Sequence, residues 1–174
     1  MKRLAIVVAL LLLVGCSSST EKIAGQVVSC ESITSTTTEN SVVLDCLDGT
    51  DGASVDSIKG PAIINVWGSW CGPCKEEMPI LRSFYEKAQG KVLLIGVDVE
   101  EASIEDGQKF VENYGITWPN LYDAQGKSRA YFGMGVPVTW FIAADGSVAY
   151  KHIGVLKNEI ELISMTSKYL GVEL

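Results

Sequence analysis

The chain has a single histidine, His152, in 174 residues, and that scarcity excludes a good deal. A closed zinc site takes four nitrogen or sulfur ligands, and beyond Cys71-Gly72-Pro73-Cys74 there is no second C-x-x-C and no H-x-x-x-H. With one histidine and no G-x-S-x-G elbow, a serine hydrolase finds no support either. Basic residues are outnumbered. Fourteen Lys and Arg against 21 Asp and Glu leave a formal charge of −7, with no basic cluster to hold phosphates. Nucleic acid is therefore excluded as a partner. Apolar runs of bilayer length are missing too: Leu4 to Val14 falls short of the roughly 20 residues a spanning helix needs.

That run has another reading. Lys2 and Arg3 precede it, and residues 1–15 have the build of an export signal. Leu13-Val14-Gly15-Cys16 resembles the lipobox of bacterial lipoproteins, in which a small residue precedes a cysteine that is lipid-modified and becomes the N-terminus. The resemblance implies a lipid on Cys16, a polar tether over residues 16–24, and a domain over residues 25–174. It places that domain on the extracytoplasmic face of a bacterial membrane. The competing reading is an ordinary signal peptide with an incidental cysteine. Losing Lys2 and Arg3 makes the body still more acidic, so attachment would rest on the lipid alone.

Five cysteines less Cys16 leave Cys30, Cys46, Cys71 and Cys74. An even number in an exported chain favours disulfides. Val27 to Ile33 and Ser41 to Leu47 read as two strands around a polar loop, and a Cys30–Cys46 bond would staple that hairpin. The alternative makes one of these thiols a resolving partner in exchange. Downstream, Ala62 to Trp67 is a branched apolar run expected as a buried central strand. Lys75 to Ala88 has helical spacing, and Pro79 inside it is expected to kink it. Val92 to Val99 reads as a strand. Ser103 to Tyr114 reads as a helix capped by Ser103 and stopped by Gly115. Val138 to Ala143 and Val148 to Ile153 form a hairpin through Asp145-Gly146, and Lys157 to Leu170 a closing helix. The expectation is one α/β domain: a mixed central sheet with helices on both faces, plus an N-terminal β-hairpin.

Disulfide exchange needs a nucleophilic thiolate and a second thiol near enough to resolve the mixed disulfide. Two intervening residues at a helix start supply that geometry. Cys71 would sit at the open end, where free N–H groups and the macrodipole favour an anion, and Cys74 about a turn inside. Cys71 thus attacks and Cys74 resolves. No cofactor is implied beyond the redox-active Cys71–Cys74 pair, and no metal.

The run Trp67-Gly68-Ser69-Trp70-Cys71-Gly72-Pro73-Cys74-Lys75 resembles the active site of the thioredoxin superfamily. Asn65-Val66 before it and Glu76-Glu77-Met78-Pro79 after it resemble the TlpA/ResA/CcmG branch of membrane-tethered extracytoplasmic thioredoxins, over about Val42 to Leu170. The resemblance implies a thioredoxin-like fold and several roles. Val136-Pro137-Val138 matches the cis-proline segment, in which Pro137 faces the cysteines and Val136 offers backbone to an extended substrate. Glu77 matches an acidic residue that relays the proton of Cys74. The competing reading there is a solvated helix glutamate. Asn65 stands where cytoplasmic thioredoxins carry an aspartate. Trp70, Gly72 and Pro73 border the substrate, with Trp70 packing and docking beside Cys71. Two departures stand out: Phe132 to Pro137 is one residue shorter than the common form, and Ala143 replaces an aspartate before a turn.

The expected activity is exchange with exported proteins bearing disulfides or dithiols. Gly72-Pro73 favours a reductant, and the family suggests cytochrome c maturation with a thiol-type electron donor or acceptor in the membrane. A monomer is expected. Competing readings are an oxidase of protein dithiols, a peroxidase, a Sco-like copper chaperone and a redox-inert binding domain. The peroxidase lacks its Thr-x-x-Cys, and the copper chaperone, which could draw on His152, lacks its C-x-x-x-C.

Overall fold

A computed structural model describes residues 24–174. Cys16, the lipobox and the export signal lie outside the described residues. Within them seven strands form one sheet in the order β2-β1-β5-β4-β3-β6-β7. The strands are β1 (Val43–Cys46), β2 (Ala53–Ser54), β3 (Ala62–Trp67), β4 (Leu93–Val99), β5 (Asn120–Asp123), β6 (Val138–Ile142) and β7 (Val148–Ile153). The helices are α1 (Gly72–Ala88), α2 (Ile104–Tyr114), α3 (Arg129–Phe132) and α4 (Glu159–Leu170). The β3–β4 and β4–β5 pairings are parallel, and the others are antiparallel.

All six residues of β3 are buried, as a strand covered on both faces requires. Alternation then sorts its side chains. Ala62, Ile64 and Val66 enter one core layer with Ile95, Val97 and Trp140. Ile63 and Trp67 enter the other with Cys74, Met78, Leu81 and Phe84 of α1, Phe110 of α2 and Leu162 of α4. Burying Met78, Leu81 and Phe84 stabilises by roughly 1.5–3 kcal/mol each. Helices do cover both faces, but unequally. The three long ones share one face, and the short α3, with Phe132 and its neighbour Tyr131, packs on the other.

The N-terminal hairpin is present, but its strands are a correction. Val27 to Ile33 forms no strand. Instead β1 pairs with β2 through the turn after Cys46. The upstream segment is held irregularly: the Gly25 N–H donates to Glu112 O, the Gln26 N–H donates to Ile116 O, and Cys30 is bonded to Cys46. Gly25 is required there, because a Cβ would lie 1.9 Å from Val111 O. The two donors before Val27 are thus used on α2 and the turn after it, and the Ile33 N–H donates to Cys30 O in a turn rather than a ladder. Pro79 lies inside α1 without ending it. Ser103 and Gly115 bound α2 as expected, with Gly115 at φ 69°.

Candidate active site

The strand β3 ends at Trp67, and the chain turns through Gly68, Ser69 and Trp70 into α1, whose N-cap is Cys71. The carboxyl ends of parallel strands are where α/β sheets present ligand sites. Gly72 and Pro73 occupy the first two helical positions, where the missing N–H of a proline costs nothing. Cys71 and Cys74 are bonded to each other, with Cα atoms 5.3 Å apart. The Cys74 N–H donates to Cys71 Sγ at 3.1 Å. A sulfur that accepts a backbone N–H at a helix start is one whose anion is favoured.

Exposure separates the neighbours. Cys74 is fully buried and Cys71 retains 4% of its surface. Bonded to its partner, the Cys71 sulfur is therefore less open than the attacking role expected of it suggested. Gly72 and Pro73 are exposed beside it, and Trp70 is 54% exposed. The Trp70 indole is not free, since its Nε1–H donates to Val99 O at 3.2 Å.

The Val136–Pro137 peptide is cis. Register places it beside the cysteine loop, because Val138, the next residue, pairs with Val66 near the end of β3. Val136 packs against the apolar cluster that contains Cys71 and Cys74, and Pro137 O accepts from the Gly154 N–H. The shortened loop before it leaves Met134 79% exposed.

Glu77 is no solvated glutamate. It is fully buried, one helical turn beyond Cys74. Asn65 Nδ2 donates to its Oε1 at 2.7 Å, and the Leu156 N–H donates to its Oε2 at 3.1 Å. Burial raises its pKa from 4.5 to about 7, against these two hydrogen bonds, which lower it. Asn65 also donates to Thr139 Oγ1 at 3.2 Å. The strand asparagine thus orients the helix carboxyl.

Cys30 and Cys46 are bonded and buried, remote in sequence from the loop. His152, on β7 opposite Thr139, is part-buried, with Nε2 3.4 Å from Val155 O. Among the described residues no three His, Cys, Asp or Glu side chains are grouped to hold a metal ion. No helix among them is long and apolar enough to cross a membrane.

Sequence reasoning missed one feature of the loop. Glu101, 8% exposed, accepts from both the Ser69 N–H and the Ser69 hydroxyl, the latter at 2.7 Å. The AhpC/TSA family model matches residues 40–151, more than half of the chain. The chain belongs to the AhpC/TSA family. The thiol–disulfide oxidoreductase ResA of Geobacillus thermodenitrificans is 31% identical over 67% of this chain and 68% of its own. The ResA of Bacillus anthracis is 36% identical over 56% of this chain, which spans only 57% of that relative. Among solved structures, a secreted disulfide oxidoreductase of Mycobacterium tuberculosis, described as homologous to DsbE, shares 26% identity with a TM-score of 0.62. That likeness covers 74% of this chain and 96% of the other. This family member is a thiol–disulfide oxidoreductase of thioredoxin-like fold.

Proposed function

We propose that the protein exchanges disulfides with exported client proteins on the outer face of the cell membrane, and that it works as a reductant. The observation that carries this is the Cys71–Cys74 pair at the mouth of α1, with the Cys71 sulfur on the Cys74 N–H. Reduced Cys71 thiolate attacks a client disulfide, releasing one client thiol and forming a mixed disulfide. Cys74, deprotonated toward Glu77, then attacks Cys71 Sγ. The client leaves with both thiols reduced and the protein with its pair oxidised. A thiol-type donor in the membrane would restore the dithiol. Resemblance to the ResA branch supports clients of the apocytochrome c kind, and the Gly72-Pro73 dipeptide supports the reducing direction. Trp70, Gly72, Pro73, Val136 and Pro137 form the rim on which an extended client segment would lie. The pair itself is the redox group, and the chemistry calls for no cofactor besides.

Cys16 and its lipid would hold the domain at the membrane. Cys16→Ser should then release the protein to the soluble fraction, and its retention with membranes would overturn the anchor. The exchange reading is tested by titrating the soluble domain against glutathione and by trapping clients on Cys74→Ser. The expected result is a reducing potential, toward the thioredoxin value of about −270 mV, with a mixed disulfide accumulating on Cys71. No trapped client, together with no reduction or oxidation of a test protein by the wild type, would overturn it.

A further inference from the structure

The loop that presents Cys71 is held from β4. Ser69 gives both its N–H and its hydroxyl to Glu101, and Trp70 gives its indole N–H to Val99 O. Behind Glu101 lies Asp98, fully buried on β4, in register with Trp67 on one side and Tyr122 on the other. Neither oxygen of Asp98 meets an N–H or O–H donor among the described residues. An ionised carboxylate in that position would be an unpaired buried charge.

The surroundings are built for the side chain all the same. Above it α2 carries a glycine in its interior, Gly107, where a Cβ would fall 1.9 Å from Asp98 Oδ2. A glycine inside a helix costs about 0.5–1 kcal/mol relative to alanine. The helix gives up that stability to leave room for a carboxyl group.

The charged groups facing Asp98 are all acidic. Glu101 follows β4 and Asp106 lies on α2, and both act to keep the Asp98 proton on; the phenol of Tyr122 comes from β5. Burial adds to this, and together they push Asp98 up to about 10. Glu101 is brought to the same side, because it grips Ser69, two residues beyond Trp67, which is the register partner of Asp98. Its carboxyl is among the causes that raise Asp98. Between two carboxyl groups only a shared proton makes such an approach attractive.

We propose that Asp98 is held as a neutral carboxylic acid that donates its proton to ionised Glu101, and that this pair positions the Ser69–Trp70 loop for attack by Cys71. Both are positioning residues, because they act through Ser69 and touch no reacting atom. The acid is the donor and Glu101 carries the charge that grips Ser69. The functional half of the proposal rests on the exchange reading, and the pair itself does not.

The roles are unequal, so the two isosteric changes should differ. Asp98→Asn retains an N–H for Glu101, and exchange with a small aromatic disulfide should stay within about twofold of wild type. Asp98→Ala removes the donor. Glu101→Gln turns an amide toward the Ser69 donors. Each should slow exchange by about tenfold, the effect of losing a hydrogen bond to a charged group. Two readouts are independent of any client. Infrared spectra at about pH 8.5, where Glu77 is ionised, should show a protonated carboxylic acid that disappears in Asp98→Asn. The Ser69 amide should lose protection from hydrogen exchange in Glu101→Gln and keep it in Asp98→Asn. Should Asp98→Asn slow exchange as much as Asp98→Ala, or should the acid band be missing from wild type, the pair is wrong. If the wild type exchanges nothing, the exchange reading fails, and the infrared and amide results still decide the pair.

Discussion

The two disulfides are the same bond in opposite surroundings. Cys30 and Cys46 face carbonyls: Asn120 O lies 3.4 Å from Cys30 Sγ and 3.6 Å from Cys46 Sγ, and Val28 O lies 3.7 Å from the latter. A thiolate there would meet the negative ends of backbone dipoles. At the other bond, Cys71 Sγ meets the Cys74 N–H at the start of a 17-residue helix. Both pairs are buried to a similar degree, so exposure alone does not tell them apart. On the proposed reading, the backbone group that faces the sulfur separates the staple from the reagent.

That contrast can be broken by removing each pair. Cys71→Ala with Cys74→Ala should abolish exchange outright and leave the fold intact, as assays on a test disulfide and thermal unfolding would show. Cys30→Ala with Cys46→Ala should do the reverse. The bond spans a sequence separation of 16, and its loss should cost about 3 kcal/mol in the chain-entropy model. Denaturant unfolding would register that as a lower midpoint, with the exchange rate at low denaturant unchanged. If exchange falls with the Cys30–Cys46 bond, the second pair is part of the chemistry.

Glu77 sharpens the same comparison, since the Cys71–Cys74 pair has a buried carboxyl one turn on along its own helix. Its folded pKa of about 7 lies above the ordinary 4.5. The folded state therefore binds the proton more tightly, and this contribution is complete below about pH 4.5. It is lost as pH rises through about 7, by at most roughly 3 kcal/mol. Glu77→Gln should flatten that part of the stability profile, leaving the slower loss that Asp98 imposes toward pH 10. It should also slow resolution of the mixed disulfide by several-fold near pH 7, read by rapid quench. An unchanged resolution rate would dismiss the proton role.

Much of this was legible in the residues. The β3 run, the caps of α2, the β6–β7 turn at Asp145-Gly146 and the closing helix are local signals, and they formed where the local chemistry put them. The cis Val136–Pro137 bond followed the family resemblance, whereas the Asn65–Glu77 hydrogen bond came only with the structure. What failed was long-range. Val27 to Ile33 has strand composition, yet the two residues before it are tied to α2 and the turn after it, and its own Ile33 N–H closes a turn on Cys30 O. Residues Asn120–Asp123 are too few to show a period, and they form a strand because β4 lies beside them in parallel register and β1 on the other edge. Arg129–Phe132 is a single turn fixed by Asp123, which caps the Lys127 and Ser128 N–H groups. Asp98 was hidden in an apolar strand run. The signal that could have exposed it is the mid-helix Gly107, which makes sense only with a bulky neighbour beneath it.

The proposed exchange requires the Cys71 sulfur to be ionised by its position. The direct measurement is alkylation of the fully reduced protein at pH 7, with Cys71 and free cysteine compared under the same reagent. A thiol whose anion is favoured by the helix start should react several-fold faster than free cysteine. A rate equal to or below that of free cysteine would contradict the account.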